Sequence, residues 1–238
     1  MAGNYLRGAF IQYNNSFPLP VPNLILFQYN PETMTHTWTP AQAGGSNSAG
    51  QSPSNPLAVI GPPEEAFSFS LVMDSNDTIA DNNLVAAQVA EINGVYPRLA
   101  ALEMLLFPVV PAGGGLVGAV SSAISAAASD LDDSSADSVP YGNLPVVFFI
   151  YGPGRIAPVR IDTLTITETL YDSLTLNPVH ASAQIGLKVL TAPELQFITG
   201  ASGTLARAAA TYSTAQREAL AVLNLVNSAE SIAGMLPF

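Results

Sequence analysis

Residues 67–73 read Phe-Ser-Phe-Ser-Leu-Val-Met, with a large apolar side chain at every odd position. Successive side chains of a β-strand point to opposite faces, so this alternation predicts a strand with one face in the core. The same period returns at 181–189, where Ala, Ala, Ile, Leu and Val occupy the odd positions. It follows the turn signal Leu176-Asn177-Pro178, which indicates the second strand of a hairpin.

Four further segments are predicted to be strands. The run LILFQY at 24–29 ends at the turn signal Asn-Pro-Glu, and MTHTWT at 34–39 alternates as its antiparallel return strand. The run PVVFFIY at 145–151 is apolar almost throughout, which is typical of a central strand. A strand at 156–161 continues past 164 with its apolar phase shifted by one, which predicts a bulge near Asp162.

Helical patterns occupy the rest of the chain. Two short helices are predicted within 82–107, separated by Asn93-Gly94, and an amphipathic helix of about 30 residues is predicted at 203–232. We expect the apolar faces to be formed by Leu84, Val85, Val89 and Ile92, by Leu99, Leu102, Leu105 and Leu106, and by Leu205, Ala209, Tyr212, Leu220, Leu223 and Val226. The long helix either packs on its own sheet or docks on a neighbouring subunit, and the pattern leaves both open.

The predicted fold is therefore α+β and mainly antiparallel β. We expect a β domain at 1–191, with flexible loops at 41–56 and 109–143, and a helical extension at 192–238. The loop predictions rest on runs of Gly, Ser, Asn, Ala and Asp.

Charge is scarce in this chain. Only 11% of the 238 residues are charged, against about 25% in an ordinary soluble domain. Either neutral polar groups cover the surface or partner chains bury it, and we favour subunit contacts. The net charge of −11, with Lys188 as the one lysine, argues against nucleic-acid binding, which needs a basic surface.

The sequence also bears on the cellular compartment. The N-terminus has no charged segment followed by an apolar run, so we expect folding in the cytoplasm. The uncharged stretch 104–129 contains two prolines and three consecutive glycines, which favours a flexible insertion over a membrane span.

No residue pattern points to catalysis, a cofactor or a metal. Cysteine is absent, and His36 and His180 have no metal-type spacing. Glu64 and Glu65 follow two prolines, where a solvated turn explains them. The aspartates at 130–137 lack the Gly and Glu of a calcium loop, and 152–155 (Gly-Pro-Gly-Arg) lacks the Lys of a phosphate loop. We predict no catalytic, cofactor-binding or metal site.

Seven short segments, in this order, resemble the tube and baseplate-adaptor family of contractile injection systems, which are phage-tail-like particles. Together they span about residues 6–191, and the ordered set is more specific than any one piece. They are Gly8-Ala9-Phe10, 25–33 (ILFQYNPET), 61–64 (GPPE), Tyr96-Pro97 with 99–103 (LAALE), Gly152-Pro153, Pro158-Val159-Arg160 and Asn177-Pro178.

The resemblance implies a tail-tube-like β-barrel or sandwich that assembles into a hexameric ring. Such a subunit joins the inner tube to the spike and baseplate, so its implied partners are copies of itself and the tube, spike and baseplate proteins. The particle is assembled in the cytoplasm and is cytoplasmic, membrane-anchored or extracellular. Longer relatives carry a LysM-type module where this chain has a helix, and 109–140 resembles an insertion. These departures leave open tube initiator, adaptor ring and tube proper.

Two other classes of function remain. One is a small-ligand or peptidoglycan-binding β module that uses a surface from Phe27 to Trp38. The other is a divergent hydrolase, which the missing nucleophile–base pair disfavours.

Overall fold

The fold is built on one seven-stranded sheet in which every neighbouring pair is antiparallel, in the order β2-β1-β5-β6-β7-β4-β3. It is seen in a computed structural model that describes residues 6–13, 23–41, 61–80, 84–107 and 144–235. For 84–85, 226–227 and 229–235 the description is limited to the backbone. The strands are β1 Ala9–Tyr13, β2 Asn23–Leu26, β3 Met34–Thr39, β4 Glu64–Asp74, β5 Val146–Ile150, β6 Ile156–Tyr171 and β7 Pro178–Val189.

The sheet is strongly curved, but its edge strands β2 and β3 are not paired with each other, so it stays open. Strands β1 and β4 have three strands between them, yet the rings of Phe10 and Phe69 lie 6.3 Å apart. In a flat sheet the two strands would be about 19 Å apart. The edge strands β2 and β3 are joined by residues 27–33, so the two edges must approach each other. The α+β, mainly antiparallel prediction is confirmed, and the sheet is not closed into a barrel.

The concave face carries the main core. Phe149 on β5 lies at its centre, with ring centroids of four other phenylalanines between 5.4 and 6.4 Å away: Phe10, Phe27, Phe67 and Phe69. The predicted apolar faces of β4 and β7 both point into this cluster, since Leu71, Met73, Ala183 and Ile185 are buried. The two strands predicted from the alternations at 67–73 and 181–189 are therefore confirmed, and the structure pairs them with each other.

Strands β6 and β7 form the longest hairpin. The bulge predicted near Asp162 is confirmed by a register shift between Ile161 and Thr163. Gly186 lies opposite, and a Cβ there would meet the Thr163 hydroxyl at 2.4 Å, so any larger residue would force the Thr163 side chain to move. The turn beyond the strands is closed by Asp172, whose carboxylate accepts hydrogen bonds from the backbone N–H groups of Leu174 and Thr175. These bonds to the charged form lower the pKa of Asp172.

Three helices connect β4 to the segment before β5, and sequence patterns found two of them. Helix α1 is Ser75–Ala80, α2 is Leu84–Asn93 and α3 is Tyr96–Glu103, continued by a 3₁₀ turn at Met104–Leu106. The predicted face of α3 is confirmed, because Leu99, Leu102 and Leu105 are buried and Leu106 packs against them. The predicted face of α2 is wrong, since Val89 and Ile92 are exposed and a neighbouring position, Ala90, is buried.

Two helices end the chain: α4, Ala192–Leu195, and α5, Gly200–Met235. The predicted stripe of α5 is wrong, because Leu205, Tyr212, Leu220 and Leu223 are all about half exposed. The buried face is instead made of small residues, namely Ser202, Gly203, Ala206 and Ser213. Small side chains let the first half of α5 lie close to the sheet.

Two of the strand predictions need correction. The run at 24–29 leaves the sheet after Leu26, and Phe27 turns into the core. The segment 34–39 is a strand as predicted, but it pairs with β4 and not with β2. The loop at 109–143 and nearly all of 41–56 lie outside the described residues, and so does the aspartate cluster at 130–137. The division at residue 191 stays a prediction.

Candidate interaction surfaces

A polar cluster joins α5 to the edge of the sheet. Arg217 places one guanidinium nitrogen 2.6 and 2.7 Å from the two carboxylate oxygens of Glu65. The ring Nε2 of His36 lies 2.8 Å from one of those oxygens, and the Arg217 guanidinium lies 4.8 Å above the ring of Trp38. Arg217 of the helix thus contacts Glu65 of β4 and Trp38 of β3, and His36 of β3 contacts Glu65.

The burial of Glu65 explains why the cluster is built this way. Glu65 has the same parity as Phe67 on β4, so its side chain points to the concave face, where only 4% of the residue is exposed. A buried carboxylate is costly unless it is paired and hydrogen-bonded. Both oxygens have partners within the protein, so the cluster fixes α5 in place and offers no free ligand atoms.

A groove of about 740 Å³ lies beside this cluster, between α5 and the sheet. Its walls include Pro62, Pro63, Thr211 and Thr214. One face of Trp38 borders it, while Arg217 stacks on the ring. No group of three or more His, Cys, Asp or Glu side chains suited to a metal occurs within the described ranges.

Lys188 and Glu194 form a second charged link near the groove, with 3.7 Å between their charged atoms. The Glu64 carboxylate, 3.0 Å from the ammonium, raises the pKa of Lys188 against the opposing effect of its burial. Burial would raise the pKa of Glu194, but hydrogen bonds from the backbone N–H and hydroxyl of Thr191, with the Lys188 charge, lower it overall. Glu194 and Thr191 form the capping box that begins α4.

The tip of the β6–β7 hairpin is an exposed apolar surface. Leu174 is 92% exposed, and Leu170, Tyr171 and Leu176 are 69%, 55% and 74% exposed. Leu170 and Leu176 have backbone φ angles of 55° and 56°. A leucine in this left-handed region costs about 1 to 2 kcal/mol, and glycine or asparagine would avoid most of that cost. These two leucines are strained, exposed and apolar at once.

The two sheet edges are a second surface. Within the described residues, β2 pairs on one side with β1 and β3 on one side with β4, so each has a free edge. Leu24 and Leu26 on β2 are about half exposed. Unpaired backbone groups on an edge strand can bind another strand.

The far half of α5 is the third surface. Up to Arg217 the helix is anchored: the Tyr212 hydroxyl donates to the carbonyl of Pro153, and the Ser213 hydroxyl donates to that of Ile156. Beyond Arg217 every side chain from Glu218 to Leu225 is exposed. The helix ends at Met235, about 27 Å from Arg217 along its axis.

The histidines and the Gly-Pro-Gly-Arg turn have structural partners. His180 lies 2.8 Å from the Thr169 hydroxyl across the hairpin. Arg155 lies over the ring of Phe67 and reaches the sulfur of Met34. Among the aromatic residues, Phe27 is buried in the core, and Trp38 is partly exposed. The predicted surface from Phe27 to Trp38 is therefore not continuous.

Sequence reasoning missed the Glu65–Arg217 pair. The two residues are 152 positions apart, and the two prolines before Glu65 predict a solvated turn, which is wrong because Glu65 is a buried residue of β4. The one available signal was its parity with the core residues of β4.

Comparison with known proteins adds no further assignment. No protein-family model matches the chain, and no curated protein matches it either. Of the helices in the described segments, none is both long enough and apolar enough to cross a membrane.

Proposed function

We propose that this chain is a non-enzymatic structural subunit of a contractile injection system. It assembles in the cytoplasm into a ring, six-fold as the resemblance implies, that joins the inner tube to the spike and baseplate. Its fold would then be of the tail-tube kind, with a curved sheet and a long protruding hairpin.

The observation that carries the proposal is a set of surfaces at separate places on one charge-poor chain that no other described residue covers. The hairpin tip, the two sheet edges and the far half of α5 each expose groups that a monomer gains nothing by exposing. The strained backbone of Leu170 and Leu176 at the hairpin tip also supports the proposal. Strained backbone conformations are concentrated at functional sites. An exposed apolar side chain such as leucine functions by contacting a partner.

The arrangement of these surfaces suits a ring. Strand β6 is 16 residues long, so its tip lies about 50 Å from the end of the sheet that α5 covers. A chain whose contact surfaces differ and lie apart associates head to tail, and such contacts close into rings when the rotation permits.

The test is co-expression with the tube and spike proteins of the same system, followed by affinity purification and electron microscopy. We expect the chain to co-purify with them and to form rings. Leu174→Asp should abolish co-purification while leaving the circular dichroism unchanged. The control is Thr211→Asp, on the exposed side of α5's anchored half, and it should co-purify like the wild type. A chain that is monomeric and captures neither protein would contradict the proposal.

A further inference from the structure

We draw no further inference here: the strongest candidate, the exposed apolar tip of the β6–β7 hairpin as a plug for the groove between α5 and the sheet of another copy, rests on two surfaces for which nothing in the structure shows what covers them.

Discussion

Removing the guanidinium of Arg217 should weaken the fold and release α5 from the sheet. Arg217→Ala leaves the Glu65 carboxylate buried, with His36 as its remaining partner at 2.8 Å. Breaking a fully buried ion pair costs about 3 to 5 kcal/mol. The Arg217 side chain is 44% exposed, so solvent screening reduces this, and we expect a loss of about 2 kcal/mol.

The fluorescence of Trp38 can report the loss of the Arg217 guanidinium. Trp38 is the one tryptophan, and the Arg217 guanidinium covers one face of its ring. Urea unfolding followed by circular dichroism gives the free energy, and a loss of 2 kcal/mol corresponds to about 4 to 8 °C in Tm for a chain of this size. Tryptophan emission should shift to longer wavelength in Arg217→Ala before any unfolding.

Two controls separate the ion pair from a general effect of losing an arginine. Arg160 pairs with Asp162 at 2.9 Å with both side chains more than 40% exposed, so Arg160→Ala should change stability by less than about 0.5 kcal/mol. The double variant Glu65→Gln with Arg217→Ala should be more stable than the sum of the two single effects. If Arg217→Ala matches Arg160→Ala, or if the double variant is additive, the buried pair does not hold the helix.

Three shorter predictions follow from other contacts. Truncation after Arg217 should leave Tm unchanged in thermal unfolding. Truncation after residue 202 should give insoluble protein, because it removes Ala206 from the core. Gly94→Ala should lower Tm by at least 5 °C, since φ is +60° and a Cβ would lie 2.2 Å from the carbonyl oxygen of Pro178; an unchanged Tm would contradict this. The lowered pKa of Glu194 stabilises the fold above its ordinary value of 4.5, and this contribution is lost as the pH falls through the folded-state pKa. The stability difference between wild type and Glu194→Gln should therefore shrink below pH 4.5 in urea titrations.

The sequence predicted the sheet better than it predicted the helices, for a physical reason. In β4 and β7 one whole face is buried, so the period of two is complete along the strand. The buried face of α5 lies close to β5 and α4 at Ala206 and close to β6 at Ser213, and such close approach selects small residues. Hydropathy patterns give such residues little weight, and they favoured the exposed Leu205 and Tyr212 instead.

The candidate surfaces could be predicted only in part. A shortage of charge indicates that partners exist, and the alternation of β6 and β7 indicates a long hairpin. Neither shows that apolar residues continue past the core, so that Leu170 at the end of β6 and Leu174 in the turn lie in solvent. The separation of β2 from β3 was also hidden, because adjacent strands in sequence usually pair, and here residues 27–33 cross between the two edges of the sheet.

The order of the strands has a consequence for synthesis of the chain. The N-terminal strand β1 pairs with β5, which joins Tyr13 to Val146. At 5 to 20 residues per second, the ribosome needs roughly 7 to 27 s to make the partner of a strand already outside the exit tunnel. Throughout that time Phe10 and Phe27 lack Phe149, the centre of the core, and contacts this distant in sequence form slowly. The nascent chain should therefore depend on a chaperone that binds the segment containing β1 and β2.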